Sequence, residues 1–275
     1  MTLGIGLLSP LMGAVYLLLV VAFALAALIL RAIDRKGFLA SVAVGAALVF
    51  GGGLPWLMTV AVFFIMGVGF TWYKYGYKKK LGSAQEKGGA RSWPNILANG
   101  GLAAAFAVCQ FFSPNRAFAV MFLGSISAAA ADTAATELGL LSRGSPRLIT
   151  RPLRRVPPGT SGGVSTLGFV GALLASLVIG AMALVLGVAG YGAGAVAFCV
   201  AGGMSGAVVD SLLGASVQRK GFCRVCLRQT ESLRHCGEET EVTGGVSFVE
   251  NNVVNAVATC AGAATALAFL FAFAF

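Results

Sequence analysis

Apolar residues run along this chain in long uninterrupted blocks separated by short polar stretches. A helix crossing the hydrocarbon core needs about 20 mostly apolar residues. On that criterion the pattern predicts eight spans: Leu11–Leu30, Gly37–Gly53, Leu54–Trp72, Ile96–Phe112, Ala117–Leu141, Thr166–Leu186, Ala193–Gly214 and Asn251–Phe275. The second is short and ends in Gly51-Gly52-Gly53, with Pro55 just beyond. Such punctuation predicts a tight hairpin into the third span. The period-two alternation of a transmembrane barrel is absent.

The polar stretches carry a second pattern. Arg31, Arg35 and Lys36 follow span one. Lys74, Lys78, Lys79, Lys80, Lys87 and Arg91 follow span three. Arg143, Arg147, Arg151, Arg154 and Arg155 follow span five, and Arg219, Lys220, Arg224, Arg228 and Arg234 follow span seven. Of the 20 Lys and Arg, only Arg116 lies in a loop of the other parity. Basic loops stay on the cytoplasmic side of a membrane, or its organellar equivalent. Both termini are therefore expected outside, and the four basic loops inside. The charge is accounted for by topology, so no nucleic-acid partner is implied. No removable leader is evident, because the basic cluster follows the first apolar run instead of preceding it.

Composition agrees. Hydrophobic residues make up 57% of the 275 residues and charged residues 11%, against about 25% charged in soluble domains. That excludes a soluble globular enzyme, and disorder requires low hydrophobicity. The 38 glycines suit closely packed membrane helices. The fold class is all-α: a polytopic membrane helix bundle forming one integral membrane domain over residues 1–275. Its extramembrane parts are expected to be loops only.

Ten acids are present, so those inside apolar runs stand out. Asp132 and Glu137 fall in span five, and Asp210, followed by Ser211, in span seven. Ionisable groups at such depth are costly and usually functional. By parity all three lie in the inner half of the bundle. Asn95 and Asn99 at the start of span four, and Asn251, Asn252 and Asn255 at the start of span eight, join them there. No polar trail continues outward, which argues against a transport pathway. Asp132 and Thr136 share one helix face, and Thr133 and Glu137 share another about 100° round. In span seven Gly202, Gly206, Asp210 and Gly214 recur every four residues. That small-residue ridge brings Asp210 against a partner helix, with span five the expected one. Carboxylates beside hydroxyls and amides suit Mg²⁺, which takes oxygen ligands and usually bridges to phosphates.

The loop after span five holds five arginines and then PPGTSGG. Gly159, Gly162 and Gly163 permit positive φ and close approach to a ligand. Thr160, Ser161, Ser165 and Thr166 add hydroxyls where span six begins, and helix starts favour anions. Together with Arg151, Arg154 and Arg155 this reads as a phosphate cradle, although not a P-loop, since GxxxxGK[ST] is missing. A positive-inside loop with a flexible turn is the plainer reading. The Lys78–Lys80 run reads as topology or anionic-lipid contact. Arg91, close to Asn95, is the better substrate contact.

The six cysteines divide in two. Cys109, Cys199 and Cys260 sit in apolar helices, where packing explains them. Cys223 and Cys226 form CRVC, with His235-Cys236 following. The set resembles half a zinc ribbon, although adjacent His and Cys rarely both bind one ion. A structural Zn²⁺ site, a redox pair and idle thiols all remain open. An inner-face position argues against a disulfide.

These motifs together resemble the phytyl-phosphate kinase family of plants and cyanobacteria, with which the animal transmembrane protein nineteen family is grouped. The matching stretches are NILANG at 95–100, ADTAATELG at 131–139, VPPGTSGGVSTLG at 156–168, VVDSLLGASVQ at 208–218, the CRVC…HCG loop and NNVVN at 251–255. Thr136 stands where the commoner motif has Ser and keeps the hydroxyl. The first 90 residues match only in being apolar. The resemblance implies an integral membrane kinase of cell or plastid membranes. It would pass a phosphoryl group from a nucleoside triphosphate, CTP favoured, to a prenyl monophosphate such as phytyl or geranylgeranyl phosphate, as in tocopherol biosynthesis.

The combined expectation is phosphoryl transfer at the cytoplasmic or stromal face. Asp132 and Asp210 hold Mg²⁺, with Glu137 a third ligand or orienting one. Arg91, Arg151, Arg154, Arg155 and the PPGTSGG turn bind phosphates, while Asn95, Asn99, Thr133, Thr136, Ser211, Asn252 and Asn255 orient the head group. Such catalysis is mainly positioning and charge neutralisation. A lipid-phosphate cytidylyltransferase would use the same metal and loop. A transporter of phosphorylated lipid predicts polar residues through both leaflets. A scaffold predicts that neutralising Asp132 affects stability alone.

Overall fold

The computed structural model describes residues 10–85, 87–231 and 233–273. The expectation about a leader and the last two residues of the eighth span lie outside the described residues. Seven described helices are long and apolar enough to cross a membrane. They are α1 (Pro10–Ile29), α2 (Arg35–Trp72), α4 (Trp93–Phe112), α5 (Arg116–Gly139), α6 (Thr166–Val185), α7 (Gly194–Ser216) and α8 (Asn251–Ala272). A short helix, α3 (Tyr75–Leu81), follows α2.

The 38 residues of α2 hold the second and third predicted spans. A continuous helix of that length would reach about 57 Å, nearly twice the hydrocarbon thickness. Instead it breaks at Gly53, where φ 71° and ψ −167° reverse the chain before Pro55. The two halves then lie side by side. A Cβ placed on Gly37 would meet the Arg91 carbonyl oxygen, and one on Gly67 would fall on the Arg91 guanidinium. Ser41 and Val44 of the first half line the same cleft as Leu57 and Val60 of the second. The predicted hairpin is thus present, and the described residues traverse the bundle eight times.

Helix α5 is the central element and the most enclosed, packed by α2, α4, α6, α7 and α8, with α1 outside against α2. Small residues make this density possible. A Cβ on Gly202 would stand 2.7 Å from Gly124 Cα and 2.8 Å from the Gly262 carbonyl oxygen. So α5, α7 and α8 meet backbone to backbone. One turn below, Gly206 abuts Ala128 and the Ala258 carbonyl. Around this core the larger side chains take over, with Trp56 stacked on Phe122 at 4.0 Å. Leu18, Ile65, Leu174 and Phe271 are exposed on the outside, the pattern of a lipid-facing surface. Of the buried hydroxyls farther from the basic loops, Thr59 donates to the Pro55 carbonyl, Ser125 to Phe122 and Ser176 to Ala172 within their own helices, whereas Ser127 of α5 donates across to the Cys199 carbonyl of α7.

The basic loops converge at one end. Arg91 N–H donates to the Ala32 carbonyl, and Asp34 N–H to that of Arg91. Ser83 reaches the Pro158 carbonyl, and Val246 N–H the Val217 carbonyl. Two loops are more than irregular connections. Residues 147–164 form a small antiparallel sheet of β1 (Arg147–Leu148), β2 (Arg151–Arg155) and β3 (Gly163–Val164), in the order β2-β1-β3. The last basic loop holds β4 (Lys220–Cys223), β5 (Arg228–Thr230) and β8 (Glu241–Gly244), ordered β5-β4-β8, with the hairpin of β6 (Arg234–His235) and β7 (Glu238–Glu239) beside them. The expectation of bare loops is corrected here: strands of two to five residues are too short to show a period-two pattern.

Candidate functional site

The glycine ridge of α7 dictates where its acid goes. Asp210, one turn beyond Gly206, is set close against Asp132 of α5. Both carboxyls are half-buried. Amides surround them. With its carboxamide turned to satisfy its neighbours, Asn255 donates to Asp210 Oδ2 at 3.3 Å and to the Asn251 carbonyl at 3.1 Å, and accepts from Asn99 Nδ2 at 3.2 Å. Asn99 Nδ2 also reaches the Asn95 carbonyl at 2.9 Å. Two helices, α4 and α8, thereby present the amides of their first turns to a carboxyl pair shared between α5 and α7.

A third carboxylate comes from the last basic loop. Glu231 accepts hydrogen bonds from Ser161 and from Gln218 Nε2, the latter at 2.7 Å. Gln218 in turn lies 3.5 Å from Asn251 Oδ1. The Glu231 charge is felt by both Asp132 and Asp210. Burial pushes the Glu231 carboxyl up, opposed by the hydrogen bonds from Ser161 and Gln218 and by the Lys220 charge. Arg219, buried at 1% exposure, holds this segment in place. Its guanidinium donates to the Glu231 carbonyl at 3.4 Å, the Thr240 carbonyl at 3.0 Å and Thr240 Oγ1 at 2.8 Å.

Glu137, expected as a third ligand, is placed elsewhere. Five residues along α5 from Asp132 it points about 140° away, toward α2 and α3. There it takes a 2.6 Å ion pair from Lys78 and a 3.0 Å hydrogen bond from Thr71. Lys78 also donates to the Phe70 carbonyl at 2.6 Å. Both partners are sealed, at 1% and 3% exposure. The reading of Lys78 as a topology charge is corrected likewise: the turn of α3 buries Lys78 and leaves Lys79 and Lys80 exposed.

The PPGTSGG segment is ordered by two successive turns. Thr160 N–H donates to the Pro157 carbonyl and Gly163 N–H to that of Thr160. The third residues of these turns, Gly159 and Gly162, have φ of 82° and 74°, values that favour glycine. The second turn rests on the end of α7: a Cβ on Gly162 would stand 2.5 Å from Ala215 N and 2.6 Å from the Ser211 carbonyl. Ser161 is thereby brought to Glu231. Thr160 Oγ1 donates to the Pro157 carbonyl, and the residue is half-buried. Ser165 serves as the N-cap of α6, accepting from Gly168 N–H at 3.1 Å. Thr133 back-bonds to the Ala129 carbonyl, and Thr136 is exposed. Asn252 is half-buried, and Arg151, Arg154 and Arg155 lie on the exposed strand β2, a basic rim and not part of the buried cluster.

Beside the carboxyls a narrow apolar cleft runs between α1, the two halves of α2 and α4. Val20, Leu48, Leu57 and Phe64 line it, and Arg91, Asn95 and Asn99 form its polar end. The Arg91 guanidinium lies 5.4 Å from the ring centres of both Phe63 and Phe64. Burial pulls it down to about 10, opposed by the Glu137 charge, so it stays protonated at neutral pH. Asn99 belongs to both cleft and carboxyl cluster.

The sequence missed Glu231, Gln218 and Arg219. An acid in a loop carries no periodic signal, and its place depends on pairing across 20 residues. The buried Lys78 was visible only as one of three lysines.

The family model described as "Integral membrane protein DUF92" matches residues 18–263. An uncharacterized membrane protein of Methanocaldococcus jannaschii is 35% identical over 193 residues, covering 70% of this chain and 77% of its own. Protein PGR of Arabidopsis thaliana is 27% identical over 76% of this chain and 79% of its own. Protein VTE6, chloroplastic, of the same plant is 28% identical over 71% of this chain and 60% of its own. No solved structure matches. The plant matches agree with the resemblance read from the motifs, and a match over most of the length decides the assignment: the chain belongs to the DUF92 family of integral membrane proteins.

Proposed function

We propose that the protein is a membrane kinase that passes the terminal phosphoryl group of a nucleoside triphosphate to a prenyl monophosphate. The observation that carries the reading is the union, through Asn99, of two facing carboxyls with an apolar cleft headed by an arginine. The resemblance to phytyl-phosphate kinases and the similarity to Protein VTE6, chloroplastic, support it.

The donor set fits a hard cation. Asp132 and Asp210 offer only oxygens, with Glu231 close by, and amides fix their orientation. These residues would hold Mg²⁺, which supplies neutralisation of charge on phosphate oxygens. Arg91 binds the phosphate of the lipid, and its two phenylalanine neighbours keep water from competing. Asn95 and Asn99 orient that phosphate toward the carboxyl pair. An oxygen of the prenyl phosphate then attacks the γ-phosphorus. The bond from that phosphorus to the β–γ bridging oxygen breaks, and the nucleoside diphosphate leaves. A phosphate oxygen is already a competent nucleophile, so no general base is required.

The cleft volume, about 80 Å³, is well below the ~300–1,000 Å³ of pockets that enclose a drug-sized ligand. The cleft therefore takes the first part of the tail, and the remainder lies along lipid. By the positive-inside argument the site faces the cytoplasm or stroma. CTP is the donor favoured by the resemblance.

The test uses purified protein in detergent with Mg²⁺ and phytyl or geranylgeranyl phosphate. Label is expected to reach the lipid from γ-labelled CTP and not from α-labelled CTP. Transfer from the α position would replace the reading with a cytidylyltransferase. No transfer from any nucleoside triphosphate to either lipid would overturn it.

A further inference from the structure

The last basic loop carries a second constellation that phosphoryl transfer does not use. The ligand atoms of Cys223, Cys226, His235 and Cys236 all lie within 4.8 Å of one another. His235 Nδ1 is 3.4 Å from Cys226 Sγ and 3.3 Å from Cys236 Sγ. A tetrahedral zinc ion, with Zn–S about 2.3 Å and Zn–N about 2.0 Å, places S and N about 3.5 Å apart. Hydrogen bonding explains the cluster less well. Thiols are weak donors, and one ring nitrogen cannot satisfy several of them.

The backbone is bent to the same end. Two non-glycine residues in this loop adopt positive φ, Leu227 at 58° and Cys236 at 54°. Side chains other than glycine adopt this conformation rarely, and it persists only where the surroundings demand it. Leu227 closes the CRVC turn, its N–H donating to the Cys223 carbonyl at 2.9 Å. Left-handed backbone at Cys236 turns its side chain back to the same side as His235, so adjacent residues can share one ion. That removes the objection raised by their adjacency in sequence. All six cysteines are free.

We infer that Cys223, Cys226, His235 and Cys236 bind one structural zinc ion, and that this ion clasps the β4–β5 turn to the β6–β7 hairpin so that Glu231, which lies between them, is held against Ser161 and the carboxyl pair. The positional half of the inference rests on the site assigned above, whereas the metal half does not. Three thiolates and an imidazole select zinc over Mg²⁺. Besides the β4–β8 pairing, the arms of the clasp are joined through Arg219, which reaches the Glu231 and Thr240 carbonyls.

The experiment is metal analysis of full-length protein purified in detergent, without chelator, through a tag that binds no metal. One zinc per chain is expected, retained in Cys260→Ser and lost in Cys226→Ser/Cys236→Ser. Because the double variant could misfold, wild-type protein produced with cobalt supplies a second reading. Thiolate-bound tetrahedral cobalt gives visible d–d absorption and a near-ultraviolet charge-transfer band. Intact wild-type protein with less than a tenth of a zinc per chain, or cobalt protein lacking those bands, would overturn the site. Stripping zinc from wild type should speed tryptic cleavage after exposed Arg224 or Arg234 at least tenfold, with cleavage in the Lys79–Lys80 region unchanged. Unchanged cleavage throughout would overturn the clasp. Zinc content is read independently of phosphoryl transfer, so zinc-free protein that still transfers label refutes this inference alone, and zinc-loaded protein that transfers none refutes only the kinase.

Discussion

Two acids on α5, five residues apart, have opposite surroundings. Glu137 faces a lysine and a threonine and is fully matched: one charge, one countercharge, no solvent. Asp132 faces another acid, with amides and a third carboxylate nearby, and no lysine or arginine bonded to the pair among the described residues. Burying like charges together is unfavourable unless a cation joins them. The first arrangement is complete as it stands. The second leaves acid facing acid, the arrangement that the proposed cation would complete.

The comparison can be broken most forcefully at the carboxyl pair. Asp132→Asn or Asp210→Asn is expected to lower phosphoryl transfer by a hundred- to a thousandfold, the usual loss for one preorganised charge-stabilising group. The apparent Tm in detergent should hold or rise, because a like charge is removed. A fall in Tm that parallels the loss of transfer would make Asp132 structural, as Glu137 is.

Glu137→Gln should do the reverse. It strands Lys78 in a sealed site, and breaking such a pair costs about 3–5 kcal/mol. Apparent Tm should drop and folded yield with it, while the transfer rate per folded molecule changes little. Glu137→Gln/Lys78→Met should recover most of the lost stability. A double variant as unstable as the single one would show that the pair is not the unit.

The smallest effect sharpens the role of Glu231. Its carboxyl is raised above 4.5 in the folded protein. From the unfolded value upward to the folded one, the native state therefore holds more protons than the unfolded state, and stability falls as pH rises. Glu231→Gln should flatten that segment of a Tm-against-pH series. An unaltered slope would mean that another group sets it.

Much of this was legible in the chain. The carboxyl pair was readable because Asp132 and Asp210 are rare acids in apolar runs, and the Gly202–Gly206–Asp210 ridge named the contact face. The hairpin at Gly53 was readable from three glycines and a proline. Glu231 was not, because β4–β8 pairing and Arg219 carry it to the site from a loop of many charges. Nor was Lys78, since three identical lysines differ only in how one turn of helix rotates them. The role expected of Glu137 failed for a related reason: spacing fixed its angle on α5, but not which neighbour would supply a cation there.

The backbone contact of Gly124, Gly202 and Gly262 bears on how such a molecule can diversify. No side chain fits at those three positions, so the half that carries the acids tolerates no gradual revision. The half formed by α1, α2 and α4 is filled by ordinary aliphatic side chains such as Val20, Leu48 and Leu57, each exchangeable by a methyl group at a time. Descendants of this sequence have one half whose cleft can be reshaped in small steps and another whose packing is inherited unaltered.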